Sequence, residues 1–451
     1  MRIEQGGDDL GYSVFSPGKR DDYRPGVNLY RRLERAPGAR PVLIVPPLGN
    51  TGVAIEYFAE RLKLFTLTRF KREFGGDQNS ILPSPVTDQI KERGIFDSPA
   101  MICFPFKIDL GYLMERLDEF EQVRSQTDDI FYPLILTHAS GGYCRERTYG
   151  ALLEFTLRDS PRNPHKDFDF YVARESLPGI WRLICDLSHL SGRNRWGIVN
   201  RLNEAIERLN MVEAFEDRVR FAQSMAADFY AIERALAEAR QVATFTNLTN
   251  SQLKADFIKR LREIDNLEMI REKPIGVIAI TGEIFHCEEL MRNSTHYLGG
   301  ELLKRGFYFR RDVGLHHYTR RFSLDLQRLA KWIWNQIDPF KRDIVAEEAV
   351  AGGSLHDPGG HGKDIVALAW RQSQTGEYDG ILEVYPFNCS PSVVVSSMVK
   401  NIAASAHISY LGLAIDEQSG DGGYLTRIEA FLDTIERKKQ HEMGTSATIT
   451  V

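Results

Sequence analysis

The chain has 451 residues, 43% of them hydrophobic, with 57 Lys and Arg against 62 Asp and Glu for a formal charge of −5. So even a balance gives no electrostatic reason to expect nucleic acid or an anionic membrane surface as a partner. No run approaches the ~18 consecutive apolar residues a membrane-spanning helix needs, and the first 30 residues, rich in acids, glycines and arginines, do not read as a signal peptide. Five cysteines, an odd number, make no disulfide framework. The expectation is a cytoplasmic protein whose thiols stay reduced, as core residues, metal ligands or redox groups.

At about 150 residues per domain, the length suits two or three domains. Residues 1–40 mix turn residues with charges and read as surface wrapping. Pro41 to Pro47 reads as a short buried strand, and a helix follows from about Val53 to Lys63. Met101 to Phe106 is a second short apolar run, read as a strand, and Leu110, Leu113, Met114 and Leu117 then fall at helical spacing. Asp129 to Leu136 is a third candidate strand. It opens into a loop from His138 to Arg145, with a helix from about Glu146 to Leu157. Strand alternating with helix predicts a parallel sheet with crossover helices.

From about Arg193 to Leu267 glycine and proline nearly vanish, and Leu202, Ile206, Leu209, Val212 and Phe215 recur at helical spacing. This predicts an inserted helical segment, read as an antiparallel pair. Alternation resumes with strands at Ile275 to Thr281, Gly380 to Tyr385 and Ser409 to Ile415, and with helices near 293–304, after the 351–362 loop, up to Ala404, and from Thr426 to Lys439. The last eight residues read as frayed. The predicted architecture is α/β: two Rossmann- or flavodoxin-like parallel-sheet domains, at 1–190 and 271–451, separated by a helical insertion at 191–270.

The five cysteines differ in context. Cys185 sits inside an apolar helical pattern, and Cys287 lies near the start of a helix or loop. Cys103, Cys144 and Cys389 each follow a predicted strand and lie near Pro or Gly. Open parallel sheets bind ligands beyond the carboxyl ends of their strands, where three distant thiols can converge. Thiolates select soft metals and iron–sulfur clusters. Position alone leaves buried free thiols as the commoner outcome. His138, six residues before Cys144, and Glu283, at the end of a strand, are the candidate acid–base groups; a surface or structural role is the commoner outcome for such a histidine, and helix capping or a sheet-edge role is at least as common for such a glutamate. His316, His317, His356 and His361 have no zinc-type spacing.

The motifs narrow these alternatives. Ile102-Cys103-Phe-Pro-Phe-Lys107 with Asp-Leu-Gly111, Thr137 to Arg145 with Tyr149-Gly150, Gly282-Glu283-Ile-Phe, Asp379 to Pro391, and Ala414-Ile-Asp416-Glu417-Gln418 followed by Thr426 to Phe431 form an ordered set. In that order they resemble the 2-hydroxyglutaryl-CoA dehydratase family, whose relatives include the CoA-substrate-specific enzyme activases. The resemblance implies one [4Fe–4S] cluster held by Cys103, Cys144 and Cys389, with one iron left open. It implies one-electron dehydration or reduction of a CoA-thioester-like substrate by a 2-hydroxyacyl-CoA dehydratase-like lyase or low-potential reductase. It further implies an ATP-dependent activase or other low-potential donor as partner, and a homo- or hetero-oligomer.

Two features depart from the family. The glycine-rich loop carries one cysteine where relatives often have two, which leaves open an electron-transfer module on a non-CoA substrate or a cluster-free scaffold. Five cysteines cannot build a six-cysteine double-cubane cluster within one chain. There is no P-loop: Gly359-Gly-His-Gly-Lys363 lacks the first glycine of that motif and ends in Asp364. The same stretch precedes a helix, so it reads either as a plain turn or as a seat for a CoA phosphate.

Overall fold

In a computed structural model of the chain, the structure describes residues 38–448 apart from 48, 78–85, 140–143, 175–176, 245–247, 292–297, 312, 315–343, 355, 357, 359 and 418–420. Two four-stranded, all-parallel sheets organise it. The first sheet comprises β1 (Arg40–Ile44), β2 (Phe65–Thr66), β3 (Phe131–Ala139) and β4 (Asp169–Arg174), in the order β2-β1-β3-β4. Its helices are α1 (Thr51–Arg61), α2 (Leu67–Phe74), α3 (Asp88–Asp97), α4 (Phe104–Arg124), α5 (Tyr149–Asp159) and α6 (Leu177–Ser191). Parallel neighbours need crossovers, and helices on both faces bury the strands, which is why Val42, Ile44, Leu134 and Ile135 are apolar with almost no exposure.

The Met101 to Phe106 run forms no strand. Phe104 begins α4, with Pro105 in its first turn, and Cys103 is the residue that precedes it. A run this short does not separate a strand from a buried helix. Proline tolerated at the helix start, together with the spacing of Leu110, Leu113 and Leu117, decides for helix. α2, α3 and the strands β2 and β4 add to the expected elements. Phe65–Thr66 is too short to show any alternation.

The inserted segment is three helices, not a pair: α7 (Arg195–Gln223), α8 (Phe229–Thr244) and α9 (Asn250–Asp265). The α9 start carries a reciprocal cap between Thr249 and Gln252, which ends the loop after α8 and begins a separate helix. Phe215 of α7 stacks on Phe257 of α9 with ring centroids 4.3 Å apart.

The second sheet comprises β5 (Gly276–Gly282), β6 (Phe307–Arg311), β7 (Gly380–Pro386) and β8 (Ser409–Ile415), in the order β6-β5-β7-β8. It is the same order, first with second and third, as in the first sheet. The accompanying helices are α10 (Ile284–Leu290), α11 (Leu298–Lys304), α12 (Ile344–Ala351), α13 (Gly362–Thr375), α14 (Ser390–Ser405) and α15 (Asp421–Thr448). α15 continues well past the expected Lys439, so the tail expected to fray is helical as far as Thr448. His316, His317 and residues 1–37 lie outside the described residues.

A buried ion pair links the insertion to both halves. Arg311 of β6 donates to both carboxylate oxygens of Glu213 on α7 at 2.8 and 2.7 Å, and Asn50 at the start of α1 donates to the same carboxylate at 2.9 Å. Removing one partner of such a pair costs about 3–5 kcal/mol, since the other charge is left uncompensated. The strand ends of the two sheets also meet. His138 of β3 lies 5.4 Å ring to ring from Phe285 of α10, and Phe104 of α4 lies 5.9 Å from His286 of α10. Among the described residues no helix is long and apolar enough to cross a membrane.

Candidate functional site

The seam, or crevice, between the two sets of strand ends carries all three motif cysteines as residues that precede a helix or turn. Cys103 precedes α4, Cys144 precedes a 3₁₀ turn (Arg145–Thr148) that runs into α5, and Cys389 precedes α14. All three have extended backbones, and none spends its side chain on capping the helix behind it. The first turn of a helix leaves N–H groups without intrahelical partners and carries partial positive charge. Each cysteine therefore stands next to N–H groups of a first turn that favour an anion, which works against the burial of its thiol.

Cys144 and Cys389 occupy corresponding places, each following the third strand of its sheet. Cys144 reaches the second half directly. A Cβ on Gly360 would stand 3.0 Å from the Cys144 Cβ, 3.5 Å from its Sγ and 3.2 Å from Pro391, two residues beyond Cys389. Gly360 has φ of +51°, which favours glycine for a second reason. The Arg145 guanidinium donates to the Met101 carbonyl at 2.7 Å and so ties the Cys144 loop to the segment entering Cys103. The Tyr149 hydroxyl lies against the Cys103 Sγ.

Electrostatics link the same residues. Burial pushes the Cys103 thiol up; the Tyr149 hydrogen bond opposes this and the Glu283 charge adds to it. Burial pushes the Cys389 thiol up to about 12, with Ser392 opposing and with Glu283 and Cys144 adding. The Tyr149 hydroxyl is raised, first by burial and then by Cys103, Cys144 and Glu283. Without a positive ligand the Cys103 and Cys389 thiols are held neutral; a bound metal would have to displace their protons.

Glu283 follows Gly282, whose φ of +124° lets β5 end hard against β7, where any side chain would collide with Val384. The Glu283 carboxylate caps α10, accepting from the backbone N–H of Phe285 at 3.1 Å and of His286 at 3.0 Å, and it holds the His286 Nδ1 at 2.7 Å. The His138 Nε2 lies against the carboxylate of buried Glu146 in the turn after Cys144. Both expected acid–base candidates thus lie at the crevice, and each has a structural partner there. His361 precedes α13 next to Gly360, and His356 is exposed.

Sequence reasoning missed His286, and Tyr149 entered it only as part of a motif. The signal for His286 was the spacing Glu283-x-x-His286, in which a residue that caps a helix also meets the side chain three positions on.

Cys185 lies on α6 and Cys287 is fully buried in the second core, its Sγ on the Thr281 carbonyl at 3.4 Å. Neither shares the crevice motifs. The donor set of three thiols is that of a soft centre. Among the described residues no three His, Cys, Asp or Glu are gathered closely enough for a single metal ion. No family model matches this chain, and no curated protein matches it in sequence.

Proposed function

We propose that Cys103, Cys144 and Cys389 hold one [4Fe–4S] cluster in the crevice between two flavodoxin-like sheets, and that the protein is the iron–sulfur component of a 2-hydroxyacyl-CoA dehydratase-like system. The observation that carries this reading is the gathering of these three cysteines, from both halves, each ahead of a helix and each without a capping duty. The family motifs around them supply the cluster type and the substrate class.

When bound, such a cluster supplies one-electron chemistry at an iron that lacks a protein ligand. The chain supplies the surroundings. The first turns of α4 and α14 and the 3₁₀ turn after Cys144 offset part of the cost of thiolates in a buried site. Tyr149 hydrogen-bonds to Cys103. Phe104 and Phe285 line the contact between the halves and exclude water. His138, oriented by Glu146, is the group suited to move a proton at the crevice edge. The N–H groups that open α13, beside Cys144, suit a phosphate of CoA. An ATP-dependent activase or another low-potential donor delivers the electron, and exposed Met101 and Phe387 beside the cysteine segments give a partner subunit apolar surface to cover.

Anaerobic reconstitution of the full chain with iron and sulfide, followed by metal analysis and absorption spectroscopy, tests the cluster. Four irons per chain are expected, lost in Cys389→Ser and kept in Cys185→Ser and Cys287→Ser. A colourless, iron-free product would sink the reading and leave a cluster-free scaffold. If the cluster forms but an acyl-CoA leaves its EPR spectrum unchanged, the CoA substrate class falls and an electron-transfer role on another substrate replaces it.

A further inference from the structure

The turn between α6 and α7 stands open to solvent, and neither the cores nor the cysteine crevice use the groups it carries. Gly192 makes the turn at φ of +65°, and nothing lies within 4 Å of the position its Cβ would take. The Ser188 hydroxyl donates to the Arg193 carbonyl at 2.6 Å, and Asn194 caps α7 by accepting from the Gly197 N–H at 2.7 Å. These bonds fix Arg195 and Trp196 as the first two residues of α7. Ile198 and Val199 then join Ile184 and Leu187 of α6 in one apolar core. The outward side holds Trp181, 52% exposed, and Trp196, 62% exposed, with exposed Arg182 and Arg195 and half-buried Arg193. The Arg195 guanidinium lies 5.7 Å from the centre of the Trp181 ring, so the two helices present these groups as one surface.

Charge and indole together decide what fits it. From Arg174 to Asn200 the chain has four arginines against Glu175 and Asp186, and Asp186 is buried, accepting from the Tyr171 hydroxyl. The even balance of the whole chain conceals this local excess. Among the described residues Arg193 and Arg195 have no ion pair. Indoles exposed to water are unfavourable, and an apolar surrounding relieves them. Tryptophan settles at the boundary of headgroups and acyl chains, its ring in the apolar layer and its N–H in the polar one. Arginines beside it meet anionic headgroups. A nucleic acid strand fits less well, because its bases stack on free aromatic faces and Arg195 already lies over the Trp181 ring.

We propose that Trp181 and Trp196, with Arg193 and Arg195, form a shallow docking surface for an anionic lipid bilayer, on which the protein lies without any helix crossing. The inference stands apart from the cluster reading.

The test is co-sedimentation of the full wild-type chain with vesicles of pure phosphatidylcholine, and with vesicles of equal parts phosphatidylcholine and phosphatidylserine. Binding to the mixed vesicles alone is expected, weakening as salt is raised. The double variant Trp181→Ala with Trp196→Ala should lose most of that binding. Arg193→Gln with Arg195→Gln should weaken it about fivefold for each charge removed. Tyr230→Ala, which removes an exposed ring from α8, should leave it unchanged. Wild-type protein that stays in solution with the mixed vesicles overturns the proposal, and that result depends on no variant folding. Equal binding to pure phosphatidylcholine, unchanged binding in both double variants, or an equal loss in Tyr230→Ala also overturns it. Binding of a single-stranded thymidine oligonucleotide in place of vesicles, lost in the same double variants, overturns it by assigning the surface to nucleic acid.

Discussion

Lys107 on α4 forms an ion pair with Glu417, which follows β8 at the far side of the second sheet, so the pair bridges the two halves. The lysine side chain is 2% exposed and the glutamate 24% exposed. The asymmetry predicts unequal costs. Glu417→Gln leaves a buried ammonium without a counter-charge and is expected to destabilise by about 3 kcal/mol. Lys107→Met leaves a carboxylate that water still reaches and replaces the buried stem with apolar volume, so it is expected to cost less than half as much. Urea unfolding of both single variants and the double variant measures the difference. Equal costs for the two single variants would sink the argument.

A second prediction concerns pH. Glu383 lies in the middle of β7 with no exposure, accepting from Tyr410 at 2.6 Å and from Ser396 at 3.0 Å. Burial pushes its carboxyl up to about 7, against the opposing effect of those two hydroxyls. The folded state therefore keeps this proton up to about pH 7, whereas the unfolded chain releases it near the ordinary 4.5. Between those values unfolding releases a proton, so stability is greatest below pH 4.5 as far as this group decides and falls as pH rises through 7. The total is on the order of 3 kcal/mol, at about 1.4 kcal/mol for each pH step of one between the two values. Glu383→Gln cannot ionise and is expected to remove that decline. Unfolding curves at pH 5, 6, 7 and 8 check it; parallel pH profiles for the two proteins would count against the assignment.

Much of this arrangement was legible because it follows from local patterns. The runs at Pro41, Asp129, Ile275, Gly380 and Ser409 are apolar, short and bounded by turn residues, and all five are strands within a few residues of the expected limits. The alternation with helices carried the parallel sheets. What failed had no local signature. Phe65–Thr66 is a strand only because β1 lies beside it, and Phe307–Arg311 carries two arginines that obscure an otherwise buried strand. The Cys103 segment reads as the end of a strand, although the first-turn proline marks a helix start. At the site, the motif spacing singled out the three cysteines. It could not show that His286 is buried with an unpaired nitrogen, because that depends on Phe104 arriving from the other half.

The contact between Gly360 and Cys144 gives a third prediction. Gly360→Ala places a methyl group 3.0 Å from the Cys144 Cβ, tighter than ordinary van der Waals contact, in a left-handed backbone that costs roughly 1–2 kcal/mol for a non-glycine residue. Gly353→Ala is the control: its φ of +100° is strained as well, but nothing stands within 4 Å of the added carbon. Both variants should lose stability, while only Gly360→Ala should displace the Cys144 loop and change the reactivity of Cys144 towards a thiol reagent. Mass-spectrometric alkylation rates at the individual cysteines provide the measurement. If the Cys144 rate changes equally in the two variants, backbone strain alone explains the effect and the contact does not matter.

Tyr149 gives the last prediction. Its hydroxyl lies on the Cys103 Sγ, and this hydrogen bond opposes the burial that pushes the thiol up. Tyr149→Phe removes the donor while keeping the ring that packs edge-on against Phe106, with centroids 5.3 Å apart. The Cys103 thiolate then loses its main local stabiliser, and its pKa should rise further. At a fixed pH below the pKa, a rise of about 1 lowers the thiolate fraction about tenfold. Alkylation of Cys103 by iodoacetamide in metal-free protein should therefore slow several-fold, with Cys185 on α6 as an internal reference that does not change. The fold should lose only about 1 kcal/mol, the net worth of one hydrogen bond. A Cys103 rate that is unchanged or faster relative to Cys185 would mean that the hydroxyl does not stabilise the thiolate, and that only the first turn of α4 works against the burial of this thiol.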